Sequence, residues 1–277
     1  MVSATLTNLG LVFVAGLITA LATGLGAVPF FLVDDVSDRW NVLLWGLASG
    51  IMVSASVFGL VQEGLAVVDG TLVDAAVAIG PGVLAGVGLV VVGHDVLVDA
   101  EVDARDYETA DFQKLVLILG ILTVHSFPEG VAVGVSFAEL GIEDPSLATM
   151  SVAGLTLPVL AVFMTVAISI HNVPEGVAIS IPLRSMGVGE WRMVWWAVFS
   201  SLPQPLGAVL AYYFVTLAEQ FLPFGFGFAA GAMVYLVATE FVPEALEQGA
   251  SLPGGGRPEL LGGIAVGVLV MVPLAFA

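Results

Sequence analysis

Two nearly identical decapeptides, HSFPEGVAVG at residues 125–134 and HNVPEGVAIS at residues 171–180, interrupt long apolar stretches of the chain. Each begins with a histidine and carries a glutamate four residues later. Because a helix brings residues i and i+4 onto one face, each decapeptide predicts an imidazole and a carboxylate side by side. The pair therefore indicates two halves of one polar site inside a bundle of apolar helices.

The composition is typical of a membrane protein. Of the 277 residues, 58% are hydrophobic and 11% are charged, whereas a soluble domain has about 25% charged residues. Apolar stretches recur that reach the ~20 residues needed to cross a ~30 Å hydrocarbon core. The N-terminal stretch lacks a basic segment and a clear cleavage site, so it predicts a membrane helix rather than a signal peptide. We expect an all-α, polytopic fold that forms a single transmembrane domain.

Polar and glycine- or proline-rich breaks divide the chain into eight predicted spans. The spans lie at approximately residues 5–33, 41–66, 73–98, 113–138, 147–183, 188–217, 220–247 and 259–276. The fifth span is longer than a bilayer requires, which predicts a tilt, a kink or a frayed outer end.

The basic residues predict the orientation of these spans. All of them fall on one side of the predicted bundle, as Arg39, Arg105, Lys114, Arg184, Arg192 and Arg257. By the positive-inside rule that side is the cytoplasm, so both termini are expected outside and the protein is expected in the cell membrane.

The acidic residues bear on the partners of the protein. The formal net charge is −18, and most of the acids lie in or near predicted loops. Such a surface repels nucleic acid and favours cations, and it is typical of a protein from a high-salt source. The expected partners are divalent metal ions and the lipid bilayer. The oligomeric state stays open, with a homodimer as one alternative.

The buried polar residues predict a metal site. His125 with Glu129 and His171 with Glu175 lie at similar depths on antiparallel neighbouring spans, so the pairs should meet inside the membrane. Two glutamates that face each other in hydrocarbon repel unless they are protonated or bridged by a cation. Two imidazoles and two carboxylates suit Zn²⁺, Fe²⁺, Co²⁺, Mn²⁺ or Cd²⁺ better than Ca²⁺ or Mg²⁺.

The residues after each carboxylate motif predict the local packing. Pro128 and Pro174 lack an N–H group and should kink their helices. Gly130 and Gly176 follow the glutamates directly, and small residues allow close helix approach in a bilayer.

With HSFPEG on span four and HNVPEG on span five, the chain resembles the prokaryotic branch of the ZIP (Zrt/Irt-like) family of divalent metal transporters. ALATGLGAVPFFL on span one and AAGAMVYLVATEFVPEA on span seven also look like helices of that family. The resemblance implies transport of a divalent metal, zinc before iron, manganese, cobalt or cadmium, into the cytoplasm. The metal would be the substrate, with no resident cofactor.

The resemblance also implies a binuclear centre between helices four and five. The first metal would be held by the set His125, Glu129, His171 and Glu175. A second metal position would correspond to Ser126, Asn172 and Gln204, where relatives often carry an acid at the last of these. Since neutral side chains supply no charge, we predict one strong site, with the second position weak, water-filled or vacant.

Four further residues are candidates for the ion pathway. Met52 matches a position that lines the entry route of ions in the family, and a packing role in the helix bundle is the alternative. Glu63 lies near the predicted outer mouth and could collect cations, with a surface acid as the alternative. Glu240 and Glu244 form an i, i+4 pair at the cytoplasmic end of span seven, where the resemblance suggests an exit site and a solvated helix end is the alternative.

An intramembrane metal-dependent hydrolase is the main alternative function, because a His/Glu metal site could activate water. The HExxH motif of such enzymes places a glutamate directly after the first histidine as general base. Here the glutamate follows four residues later and no further acid is left for that role, so we predict that the protein is not an enzyme. A retinal protein would need a buried lysine, and Lys114 lies near a span boundary.

Overall fold

The computed structural model describes residues 6–33, 36–68, 70–99, 109–140 and 148–272. Its helices are α1 (Leu6–Leu25), α2 (Asp38–Ser54), α3 (Gln62–Ala66), α4 (Leu72–Asp99), α5 (Thr109–Ser136), α6 (Val159–Ser185), α7 (Glu190–Ser200), α8 (Pro203–Leu217), α9 (Leu222–Leu236), α10 (Val242–Gln248) and α11 (Arg257–Met271). Two short strands, β1 (Thr149–Val152) and β2 (Leu155–Pro158), precede α6.

Six helical segments in the described part of the chain are long and apolar enough to cross a membrane. They are Leu6–Leu25, Asp38–Ala66, Leu72–Val96, Val159–Ser185, Glu190–Leu217 and Glu219–Gln248. This confirms a mainly helical, polytopic membrane protein. The two other predicted spans coincide with α5 and α11, and the count of eight and the orientation of the termini stay predictions.

Part of the predicted topology falls outside the described residues, namely residue 5, residue 147, residues 273–276 and Arg105. Two of the other basic residues form ion pairs. Arg39 Nε lies 3.1 Å from Glu259 Oε1 and joins α2 to α11, and Arg184 lies 2.9 Å from Glu190 and joins α6 to α7.

The N-terminal end of predicted span five is a hairpin rather than a helix. Strands β1 and β2 are antiparallel, with Val152 opposite Leu155. Between them, Ala153 and Gly154 have φ angles of 50° and 81°, as in the two-residue turns that suit hairpins. Thr149, Val152 and Thr156 are β-branched residues, which favour a strand, and α6 begins only after Pro158. In the described ranges, regular structure is therefore helical apart from this hairpin.

Two of the membrane segments contain a π-helical turn. Ala55–Val61 joins α2 to α3, and Val237–Phe241 joins α9 to α10. A π turn inserts extra backbone into a helix and changes which side chains share a face after it. Neither π-helical turn was predicted from the sequence.

The long helices pack in two groups. In one group, α2 packs on α11 and α4 packs on α9. In the other, α5 packs on α8, while α1 packs on α6, α7 and α8. Contacts of α2 with α6 and of α5 with α9 join the groups, so the helices that carry the two decapeptides lie where the groups meet.

Glycines let α2 and α11 touch through their backbones. A Cβ atom added to Gly46 would meet the carbonyl oxygen of Leu260, and one added to Gly263 would meet that of Leu43. Small residues that allow such approach are a main source of helix association in membranes, where lipid removes the hydrophobic driving force.

We predict that Gly263→Ala lowers the melting temperature of the protein in detergent. The new methyl group would push Leu43 and α2 away, and such overpacking costs typically about 1–3 kcal/mol. The matched control is Gly262→Ala on the same helix, because a Cβ there makes only an ordinary contact of 3.8 Å with the Leu43 side chain. Equal melting temperatures for the two variants would contradict the proposed packing role.

Candidate metal site

The glycines after the two glutamates bring four helices together around the site. A Cβ on Gly130 would meet the backbone of Gln204, and one on Gly176 would meet the carbonyl oxygen of Thr23. Gly130 thus allows α5 to pack closely against α8, and Gly176 allows α6 to pack closely against α1. This confirms the predicted close approach at both positions.

Three of the four predicted ligands converge between α5 and α6. Glu129, His171 and Glu175 are buried, and one ligand atom from each lies within 4.8 Å of the others. His171 Nε2 is 3.3 Å from Glu129 Oε1 and 3.9 Å from Glu175 Oε1. Two ligands of one tetrahedral zinc ion lie about 3.3–3.6 Å apart at bond lengths near 2.0–2.2 Å. The three side chains are therefore spaced nearly as a bound zinc ion requires.

The hydrogen bonding of the site also fits a cation. Glu175 Oε1 is buried without a hydrogen-bond partner among the described atoms. Buried polar atoms are normally paired, and an unpaired carboxylate oxygen is costly in a medium of low dielectric constant. A divalent metal ion as substrate would satisfy this oxygen and balance the charges of Glu129 and Glu175.

His125 differs from the other three predicted ligands. It is buried, with 2% of its surface exposed, one helical turn before Glu129 on α5. Its ring lies outside the group formed by Glu129, His171 and Glu175, and its Nδ1 atom has no hydrogen-bond partner among the described residues. A ligand role for His125 stays a prediction.

The predicted second metal position is filled by hydrogen-bonded amides. Ser126, Asn172 and Gln204 are all buried. Gln204 Nε2 donates to Glu129 Oε2 at 2.5 Å. Asn172 Nδ2 donates to Gln204 Oε1 at 3.1 Å and to the carbonyl oxygen of Thr19 at 2.8 Å. A chain of hydrogen bonds therefore runs from α1 to Glu129. Thr19 was not predicted as part of the site, because its only signal in the sequence is that it is a polar residue within the apolar run of α1.

The candidates for the outer part of the pathway lie on one membrane segment. Met52 is fully buried on α2, within the main hydrophobic core, and its carbonyl oxygen accepts a hydrogen bond from Ser56. Glu63 is half-buried on α3, after the π-helical turn. Their roles in an ion pathway stay predictions.

The candidates for the exit lie around the second π-helical turn. Glu240 belongs to this turn, and its Oε1 atom is 3.0 Å from Nδ1 of His94 on α4. Glu244 Oε1 accepts a hydrogen bond of 2.6 Å from Gln248 Nε2. His94 was not among the predicted site residues, because a single histidine at the end of span three gave only a weak signal.

Comparisons with known proteins agree with this architecture. The sequence profile of a family described as ZIP Zinc transporter matches residues 94–275. The zinc transporter GufA of Myxococcus xanthus is 32% identical over 85% of this chain and 89% of its own length. Human zinc transporter ZIP11 is 38% identical over 60% of this chain. An Arabidopsis thaliana protein is 40% identical over 83% of this chain.

Some of these relatives are much longer than the matched region. The match spans 33% of the Arabidopsis thaliana protein and 44% of human ZIP11.

The helices define a multi-pass membrane protein, and the buried His/Glu group is a candidate cation site within the helix bundle. The match to the family profile and the similarity to GufA then identify the family within this class. The chain belongs to the ZIP zinc transporter family. This is a family of transporters rather than enzymes, which removes the hydrolase alternative.

We predict that Gly176→Ala weakens zinc binding by the purified protein. A methyl group at this position would collide with the carbonyl oxygen of Thr23, push α6 from α1 and displace His171 and Glu175. Loss of the groups that orient metal ligands typically costs about 10- to 100-fold in affinity. Equilibrium dialysis with Zn²⁺ measures the change. Gly10→Ala on α1 is the control, since a Cβ there meets open space, and equal affinities in both variants would refute the prediction.

Proposed function

We propose that the protein carries divalent transition-metal ions, zinc foremost, across the cell membrane into the cytoplasm. The observation that carries this proposal is the buried group of Glu129, His171 and Glu175 between α5 and α6. Membership of a family of zinc transporters supports transport as the activity of this site. Iron, manganese, cobalt and cadmium are alternative substrates of the same donor set.

In the proposed mechanism, the arriving ion exchanges water for the carboxylates of Glu129 and Glu175 and the imidazole of His171. His125 is the fourth ligand, brought in from the preceding turn of α5. The donor set contains no thiolate, so the ion is held less tightly than in a structural zinc site. A transported ion must bind well enough to enter the site and weakly enough to leave it.

We predict that Glu175→Gln abolishes zinc uptake into proteoliposomes that enclose a zinc-sensitive dye. Glutamine has nearly the same shape as glutamate, but it is neutral and cannot balance the charge of the ion. Glu247→Gln on α10 is the matched control, because this carboxylate is exposed, and its uptake should equal that of the native protein. Native rates of uptake in Glu175→Gln would refute the proposed site.

We also predict that the native protein binds one zinc ion tightly, measured by elemental analysis of protein dialysed against low concentrations of Zn²⁺. The amides of Asn172 and Gln204 bring no charge to the second position. Gln204→Glu should raise the number to two, since facing carboxylates repel unless a cation lies between them. Two equally tight ions in the native protein would contradict this prediction.

A further inference from the structure

The amide chain beside the site connects all four helices that surround it. It begins at the carbonyl oxygen of Thr19 on α1, passes through Asn172 on α6 and Gln204 on α8, and ends at Glu129 on α5. Asn172, Gln204 and Glu129 are each 0% exposed. A buried chain of this kind is not screened by water, so its hydrogen bonds act at close to full strength.

The chemistry of the two ends dictates the direction of the chain. The carbonyl oxygen of Thr19 can only accept, so the nitrogen of Asn172 must face it. An ionised Glu129 can also only accept, so the nitrogen of Gln204 must face that carboxylate. Asn172 therefore donates both to Thr19 and to the side-chain oxygen of Gln204, and Gln204 donates in turn to Glu129.

The two oxygens of Glu129 consequently have different partners. Oε1 faces His171 Nε2 at 3.3 Å and belongs to the ligand group. Oε2 accepts the hydrogen bond from Gln204 Nε2 at 2.5 Å, on the side of α8. A hydrogen bond to a charged acceptor is about twice as strong as one between neutral groups. Rotation of the carboxylate to offer both oxygens to one ion would break it.

We infer that Gln204 is a positioning residue that makes Glu129 a one-oxygen ligand, and that Asn172, which is itself bonded to Thr19 on α1, holds Gln204 in place. The inference rests on the proposed role of Glu129 as a metal ligand. A carboxylate restricted to one oxygen keeps the coordination number low. This favours ions that accept four ligands, such as Zn²⁺ and Co²⁺, over Ca²⁺, which takes six to eight oxygens and often binds carboxylates through both.

The direct test is Gln204→Met, which keeps the length of the side chain and removes the donor. We expect zinc affinity in equilibrium dialysis to fall by about 10- to 100-fold, as for other groups that orient metal ligands. With Co²⁺ as the probe, the visible absorption bands should lose intensity relative to the native protein, because the released carboxylate can bind through both oxygens and raise the coordination number.

The control is Ser201→Ala, three residues before Gln204. It removes a buried hydrogen bond of 2.7 Å to Thr23 that also joins α1 to the α8 region but does not reach Glu129. This variant should keep the native zinc affinity and the native Co²⁺ spectrum. If Ser201→Ala loses as much zinc affinity as Gln204→Met, the effect comes from weaker packing of α1 against the α8 region, and the inference is overturned.

A second variant tests the role of Asn172, and it provides an independent test if Gln204→Met does not fold. Asn172→Leu removes the donors to Thr19 and to Gln204, and it should lower zinc affinity less than Gln204→Met does. In the double variant the two losses should not add, because Asn172 acts through Gln204. Unchanged affinity in Asn172→Leu, with the native melting temperature, would overturn the inference even if Gln204→Met does not fold.

The outcomes separate this inference from the proposed function. If the native protein binds no zinc, both the proposed function and the inference about Gln204 are refuted. If the native protein binds zinc and Gln204→Met keeps both the affinity and the Co²⁺ spectrum, only the role of Gln204 is refuted.

Discussion

The placement of two carboxylates inside a bundle of apolar helices is the constraint on which the rest of the structure depends. Glu129 and Glu175 are buried within this bundle and close to each other. An ionised side chain at the centre of a membrane helix costs on the order of 3 kcal/mol, and two of the same charge also repel. The imidazole of His171 and the amide of Gln204 lie against Glu129, and in the proposed function a bound divalent ion offsets both penalties.

The position of the glycines follows from the same constraint. Gly130 and Gly176 come directly after the two glutamates, and neighbouring residues on a helix point about 100° apart. When a glutamate points into the site, the glycine beside it faces the next helix, Gly130 towards α8 and Gly176 towards α1. Each decapeptide thus supplies both a candidate ligand and the close helix contact beside it.

Much of the candidate site was predictable because its determinants are local. The i, i+4 spacing places His171 beside Glu175, and the repeat of that spacing predicts the approach of Glu129. The division of the two oxygens of Glu129 was not predictable, because it depends on Gln204 and Thr19, which are distant in sequence. The hairpin at residues 149–158 was also missed, since its apolar residues read as a continuation of the following span. The π-helical turns were not predicted either, because no clear sequence pattern indicates them.

The neutral residues at the second position complete a balance of charge. Two carboxylates and one divalent ion sum to zero, so the loaded site would carry no net charge within hydrocarbon, where each uncompensated ion costs several kcal/mol. A monovalent ion would leave one negative charge, and an acid at the position of Gln204 would require a second cation. In the proposed mechanism, charge selects the valence of the ion, the imidazole and carboxylate donors select transition metals, and the hydrogen bond from Gln204 limits the coordination number. Each of these three effects would act on a different property of the ion, so discrimination between ions would not depend on tight binding alone, and the ion could still dissociate.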